Sequence, residues 1–208
     1  MNLSERLLLM AQNVTKCETM ADIGTDHGFL AFYLIEENLC NKAILADISR
    51  GSLDKAEANV RQFIDYMGDE TVRERFSFRL GNGISVLEPG EADVVCIAGM
   101  GGALIAAILE ADLKKARTFK KYILQPRNGQ AKLRRWLEIH NFVTEKNLLV
   151  REGKFICEVI VASPGKEASI LPSRFVSDLP YEFPEDLFLH NEALATEFAA
   201  WKLNLDLT

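Results

Sequence analysis

The feature that most restricts this chain is a change of rhythm near its end. From residue 19 to residue 140, segments of strand character alternate with segments of helix character. Then Val143 to Val150 and Phe155 to Val161, both strand-like, follow one another with only Arg151-Glu-Gly-Lys154 between them. Alternation requires crossover connections, hence a mostly parallel sheet covered on both faces. A four-residue gap cannot carry a crossover helix, so the last pair must close as an antiparallel hairpin. The expected fold is α/β and Rossmann-like, with five parallel strands finished by one hairpin.

The individual segments are legible from their periods. A short helix over 3–13 places Leu3, Leu7, Leu8 and Met10 at helical spacing. Strands are expected at 19–23, 42–48, 76–80, 92–98 and 122–126, with helices over 28–38, 50–66, 103–111 and 130–140. From Pro164 the pattern breaks up at Gly165, Pro172, Pro180 and Pro184, as in a linker or wrapping arm, and a single helix is expected over 185–203. The domain division is therefore 1–163 and a 164–208 extension. No apolar run approaches the ~20 residues of a membrane span. Met1 to Met10 has no basic leader or small-residue cleavage site, so a secretory signal is not expected. Four widely spaced cysteines without a C-x-x-C pair, and three scattered histidines, imply reduced cytoplasmic thiols and no metal site.

Chemistry concentrates at the strand ends. Asp22-Ile-Gly-Thr-Asp-His-Gly28 closes the first strand, where doubly wound folds hold nucleotide-like ligands, and contributes Asp22, Gly24, Thr25 and Gly28. Asp47, followed by Ile48, ends the next strand 25 positions on, about the spacing of a carboxylate that accepts from a ribose diol. A dinucleotide loop needs bare N–H groups against a pyrophosphate. Asp26 and Asp22 would instead set carboxylates beside phosphates, and they suit the ammonium and sulfonium of S-adenosylmethionine better. No G-x-x-x-x-G-K-[ST] run exists, which excludes a P-loop. Gly81-Asn82-Gly83 follows the third strand, where Asn82 could accept from an adenine amine, although a plain Asn-Gly turn explains it equally. Ala98-Gly99-Met100-Gly101-Gly102 ends the fourth strand facing the same crevice, and its glycines would admit a flat base or simply allow tight strand–helix packing.

Charge is uneven. The chain carries 24 Lys and Arg against 30 Asp and Glu, net −6. Yet residues 113–137 contain no acid and nine cations, Lys114, Lys115, Arg117, Lys120, Lys121, Arg127, Lys132, Arg134 and Arg135. Flanking Gln125-Pro126-Arg127-Asn128, this window is expected to meet RNA phosphates beside the cleft. Trp136, between Leu133 and Leu137, belongs to the core.

Ala21-Asp-Ile-Gly-Thr-Asp-His-Gly28, Ile97-Ala-Gly-Met-Gly-Gly102, Ile123-Leu-Gln-Pro126 and Leu133-Arg-Arg-Trp-Leu137 resemble the bacterial tRNA (adenine-22, N1) methyltransferases. Glu152-Gly-Lys154 and Glu158 fit the same pattern, and the resemblance runs from about residue 3 to 163. It implies a class I methyltransferase domain that uses S-adenosylmethionine on tRNA, with a helical C-terminal extension, expected to act as a cytoplasmic monomer without membrane or metal. Asp26, with His27 second, is the candidate to accept from N6–H as positive charge develops on the adenine ring. In that family an acid usually stands where this chain has Asn82, and Gln-Pro-Asn where it has Gln125-Pro-Arg127, with Asn128 displaced by one. The family's coiled-coil hairpin is expected to be largely missing. Read from the residues alone, two alternatives remain: a methyltransferase for a small molecule or protein, and a dinucleotide-binding domain without catalysis.

Overall fold

A computed structural model describes residues 2–166, 170 and 172–204. Chain order runs α1 (Glu5–Gln12), β1 (Cys17–Ile23), α2 (Phe29–Glu36), β2 (Cys40–Asp47), α3 (Arg50–Met67), β3 (Phe76–Leu80), β4 (Val94–Gly101), α4 (Gly102–Glu110), α5 (Leu113–Ala116), β5 (Lys121–Asn128), α6 (Gln130–Ile139), β6 (Phe142–Glu152) and β7 (Phe155–Pro164). The extension supplies α7 (Leu179–Glu182), α8 (Asp186–His190) and α9 (Glu192–Leu203). The seven strands form one sheet in the order β3-β2-β1-β4-β5-β7-β6. β1 to β5 are parallel, and β7 runs antiparallel to both β5 and β6. The terminal hairpin is as expected, with its second strand inserted next to β5.

Strand alternation divides the core between two faces. Met20, Leu45, Cys96 and Ile123 join Met10, Phe32, Val60 and Phe63 on the side of α1, α2 and α3. Ala21, Ile44, Ile97 and Leu124 point the other way, onto Ile105 and Leu109 of α4 and Leu133 and Leu137 of α6. Trp136 packs against this second cluster and stacks on His140 at 4.2 Å between ring centroids. α3 shows how local chemistry sets the bounds: the Ser49 hydroxyl accepts from Ser52 N, Leu53, Ala56, Val60, Phe63 and Ile64 form the buried stripe, and Gly68 ends the helix at φ +66°.

Two sequence expectations need correction. β4 does not stop at Ala98 but continues through Gly101, with its register against β5 shifting around Met100, and Gly99 sits at φ +75°. The expected single helix over 185–203 is two, α8 and α9, because Asn191 leaves helical geometry at φ −158° and uses its side chain to cap Leu194 N. Residues 167–169, 171 and 205–208 of the extension lie outside the described residues.

The extension is fastened to the sheet domain by polar contacts. Arg134 of α6 is buried and ion-paired with buried Glu158 of β7, and it donates to Asn147 Oδ1 at 2.7 Å and to Tyr181 O at 2.8 Å. Asp186 of α8 accepts from Asn147 N at 2.8 Å, and Arg151 of β6 pairs with Glu197 of α9. Lys202 of α9 pairs with Glu182 and donates to Gln130 Oε1 at 3.3 Å.

Candidate active site

The order of strand addition reverses between β1 and β4: β2 and β3 lie to one side of β1, and β4 and β5 to the other. Open α/β sheets bind ligands outside the strand ends at such a switch point. A cavity of about 580 Å³ opens there, lined by Asp22, Gly24, Thr25, Asp26, His27 and Gly28 after β1, Ala98 and Gly99 of β4, and Arg127 of β5. That volume falls within the ~300–1,000 Å³ of small-molecule sites.

The β1 loop is shaped by two left-handed glycines, Gly24 at φ +80° and Gly28 at φ +75°. A Cβ on Gly24 would lie 2.1 Å from Met100 Cε, so Met100 of β4 packs directly over the loop. Asp22 is buried at its base. Burial pushes its carboxyl up to about 6, and nearby Asp47 adds to the rise, while the Thr25 hydroxyl and Arg6 oppose it. The Thr25 hydroxyl is itself buried without a partner at full hydrogen-bonding geometry. A desolvated carboxylate is a poor neighbour for a phosphate and a good one for a cation that also donates hydrogen bonds.

Asp26 and His27 stand at the mouth. Asp26 Oδ2 lies 3.2 Å from His27 Nε2 and its Oδ1 lies 3.5 Å from Lys55 Nζ, both exposed contacts. Exposed pairs of this kind hold a side chain weakly, so Asp26 remains able to reorient toward a substrate.

The remaining expected residues divide. Asp47 and exposed Ile48 sit at the end of β2, outside the lining of this cavity; Asp47 Oδ1 accepts from Ser49 N at 2.6 Å. Gly81, Asn82 and Gly83 follow β3 on the same edge. A Cβ on Gly81 would strike Val86 at 2.4 Å and one on Gly83 would strike Ile108 at 2.6 Å, so both glycines serve packing, while the Asn82 side chain is exposed. Gly102 is likewise a packing residue: a Cβ there would meet Gly129 O at 2.4 Å. Gly101 faces Asn128, whose Oδ1 lies 3.0 Å from where its Cβ would be.

Gln125 does not line the cavity. It is buried beneath the pocket, where its Oε1 accepts from Gly99 N at 3.1 Å and from Arg6 Nη1 at 3.3 Å, and its Nε2 donates to Pro126 O at 3.3 Å. Pro126 is buried with it.

Arg134 needs a firmer correction. Its guanidinium is enclosed by Glu158, Asn147 and Tyr181, so it cannot reach a phosphate. Arg135 pairs with Asp178 at 2.8 Å and lies over the Tyr181 ring. The basic window as a whole is largely neutralised from outside itself: Lys115 by Asp112, Lys120 by Asp93 at 2.6 Å and Lys121 by Glu145 at 3.2 Å. Arg117 donates to the carbonyls of His140 and Gly165. Among the described residues no carboxylate lies within ion-pairing distance of Lys114, Arg127 or Lys132.

Sequence reasoning misses the front wall of the cavity. Asn2, Leu3, Ser4, Arg6 and Leu7 close it from the start of the chain, and Glu152 closes it from the end of β6. Arg6 Nε donates to Glu152 Oε2 at 3.0 Å. The forward signals are a lone cation within an otherwise apolar helix stripe and, from the resemblance, the Glu152-Gly-Lys154 turn.

Residues 3–160 match the methyltransferase domain family. The tRNA (adenine(22)-N(1))-methyltransferase of Bacillus subtilis is 34% identical over 165 residues, which cover 79% of this chain and 66% of that protein. The solved structure of the Bacillus subtilis tRNA methyltransferase TrmK superposes with a TM-score of 0.77 at 30% identity, over 98% of this chain and 82% of that one. The chain belongs to the tRNA (adenine-22, N1) methyltransferase family. A family structure from Streptococcus pneumoniae, solved in complex with S-adenosyl-L-methionine, superposes with a TM-score of 0.81 at 29% identity, covering 98% of this chain and 90% of that one. The fold is the class I methyltransferase sheet with C-terminal helices added. Within the family this chain spans 66% of the length of the curated relative. Among the described residues no helix is long and apolar enough to cross a membrane, and no cluster of three or more His, Cys, Asp or Glu side chains could hold a metal ion.

Proposed function

We propose that the protein transfers the methyl group of S-adenosylmethionine to N1 of an adenine in tRNA, adenine 22 by its family. Residues 1–163 act as the transfer domain and 164–208 as an extension braced against it, in a cytoplasmic monomer. The observation that carries this reading is the buried Asp22 carboxylate, with the Thr25 hydroxyl beside it, at the floor of a cavity at the switch point of this sheet. The related Bacillus subtilis protein is a tRNA methyltransferase, and the Streptococcus pneumoniae relative carries S-adenosyl-L-methionine.

The cofactor, when bound, supplies a methyl group already activated by a positive sulfur. The chain's task is then binding and alignment. Asp22 and Thr25 receive the cationic amino-acid end, which gives the buried carboxylate a charge partner. Asp47, with only one oxygen committed to Ser49 N, accepts from the ribose hydroxyls. Gly99 and Ala98 present bare backbone along β4, and Asn82 contacts the adenine amine. Adenine N1 is a neutral lone pair, so no base is needed to attack. Positive charge appears on the amidine edge of the ring as the new bond forms, and Asp26 accepts from N6–H there, stabilising the cation or taking its proton. Arg127, Asn128 and Lys132, exposed at the end of β5 and the start of α6, meet the phosphates, whereas Lys114 stands before the start of β5, at the other end of the strands.

Unmodified bacterial tRNA incubated with the protein and S-adenosylmethionine should yield 1-methyladenosine by mass spectrometry of its nucleosides. A product mixture without it, from protein that binds the cofactor by calorimetry, overturns the reading. Binding of NAD with none of S-adenosylmethionine would overturn the cofactor assignment as well.

A further inference from the structure

His27 and Phe29 form a stacked pair of rings, 5.2 Å between centroids and 10° from parallel, and both line the mouth of the cavity. Gly28 between them is left-handed, a conformation that turns the chain so that two residues on either side of it present rings to the same side. Phe29 is 41% exposed although it opens the most apolar helix of the domain, and the His27 side chain is 46% exposed. One exposed phenylalanine is ordinary on a protein surface. Two rings stacked at a pocket entrance that remain 41% and 46% exposed leave much of their surface open to the pocket mouth instead of to the core.

The pair is also rigidly founded. Phe29 meets Phe32 edge to face at 6.3 Å, and Phe32, only 1% exposed, stacks on Phe63 at 5.3 Å. The backbone of the loop is tied down where Asn59 Nδ2 donates to His27 O at 3.1 Å. Aromatic order thus runs from the core to the rim and ends on an open ring face next to the Asp26 carboxylate, 3.2 Å from His27 Nε2.

A flat π-face beside a carboxylate suits one kind of guest. It favours a planar heteroaromatic ring that donates hydrogen bonds at its edge and becomes positive as it reacts. Methylation at N1 gives an adenine that description, since the new charge is spread over N1, C6 and N6. Stacking is indifferent to sequence and favours a base already out of its helix, while the ring quadrupole favours the cation. We propose that His27 and Phe29 are the seat of the target base, a purine unstacked from the RNA and laid on this aromatic face within reach of Asp26. The proposal rests on the tRNA methyltransferase reading above and adds the subsite that recognises the base.

Phe29→Leu should lower kcat/KM for tRNA by about ten- to a hundred-fold, the range seen when one stacking ring is removed. Its Kd for S-adenosylmethionine should stay within about two-fold of the parent value. Phe29→Tyr should restore most of the activity. Undiminished turnover in Phe29→Leu overturns the proposal, and so does a parallel loss of cofactor affinity, which would assign the rings to the cofactor. A second measurement does not depend on turnover. In wild-type protein saturated with S-adenosylmethionine, added 1-methyladenosine should shift the His27 ring protons upfield in NMR spectra. Unmoved His27 signals overturn the seat even if tRNA is methylated. Shifted signals with no methylation of tRNA would unseat the proposed function and leave the aromatic subsite standing.

Discussion

Arg134 and Glu158 meet as an ion pair whose side chains are only 4% and 1% exposed, between the helix after β5 and the last strand of the sheet. The arginine uses its other donors on Asn147 and on the Tyr181 carbonyl, so a single side chain joins α6, β6, β7 and the extension. Burial pushes the Glu158 carboxyl above the usual carboxylate range, with Arg134 opposing, and Glu158 Oε1 has no hydrogen-bond partner among the described residues. The pair therefore makes its largest difference when one member is missing.

Arg134→Ala should lower unfolding free energy by about 3–5 kcal/mol, the cost of leaving a buried charge without its partner. Replacing both residues with apolar side chains of similar volume should recover most of the loss. Urea denaturation measures both, and a loss below about 1 kcal/mol in the single variant would contradict the structural role given to this pair.

Asp22 should make both stability and cofactor binding depend on pH. Unfolded, it titrates near 3.8; folded, near about 6. The folded state holds the extra proton between those values, so this group's contribution to stability is present below about 4 and lost as pH rises through about 6. The shift corresponds to about 3 kcal/mol. Asp22→Asn should flatten the stability profile between pH 4 and 7. A cation arriving beside Asp22 favours the ionised form, so S-adenosylmethionine binding should weaken below pH 6 and release a proton near it. Calorimetry in buffers of different ionisation heat reads that proton directly; a buffer-independent heat at pH 6 would argue against the contact.

Asp26→Ala should separate chemistry from binding. Turnover should fall about 10²- to 10⁴-fold, the usual range for a group that manages a proton or charge in the transition state. Cofactor affinity should change little, since Asp26 holds only exposed partners in the folded protein. Equal loss of turnover and of affinity, by single-turnover kinetics and calorimetry, would make Asp26 a cofactor residue instead.

Charge reversal at Lys132 or Arg127 should weaken tRNA binding and reduce its salt dependence by about 0.7–0.9 of a unit of log–log slope for each phosphate the protein no longer neutralises. Charge reversal at Lys120, which is already paired with Asp93 at 2.6 Å, should leave that slope unchanged. Filter binding across a salt series distinguishes the two.

Legibility follows range. The hairpin, the parallel strands and the acid-bearing loop depend on neighbours within a few residues and are readable, down to the ends of β3 at Phe76 and Leu80. The nine-cation window reads as a basic flank because no acid occurs between residues 113 and 137. Its partners Asp93, Glu145, Glu158 and Asp178 come from elsewhere in the chain, and no window of sequence shows where folding will bring a carboxylate. Gln125 misleads for the same reason: a polar residue beside a proline at a strand end looks open until Arg6 and Gly99 are found to claim its oxygen. His27 stands out in the sequence as a possible acid–base group, yet its ring partner Phe29 has no meaning without the turn at Gly28.

The contact between Arg6 and Glu152 spans 146 positions of sequence. During synthesis the first helix emerges early and can pack on α2, but its contact with Glu152 waits for β6, which joins the sheet only through β7. The acid-floored pocket is thus finished only once β7 has been made and has carried Glu152 to the sheet, and a nascent chain shorter than that lacks this wall. Ligand binding should then act as a checkpoint on complete folding: it reports that both ends of the domain have found each other.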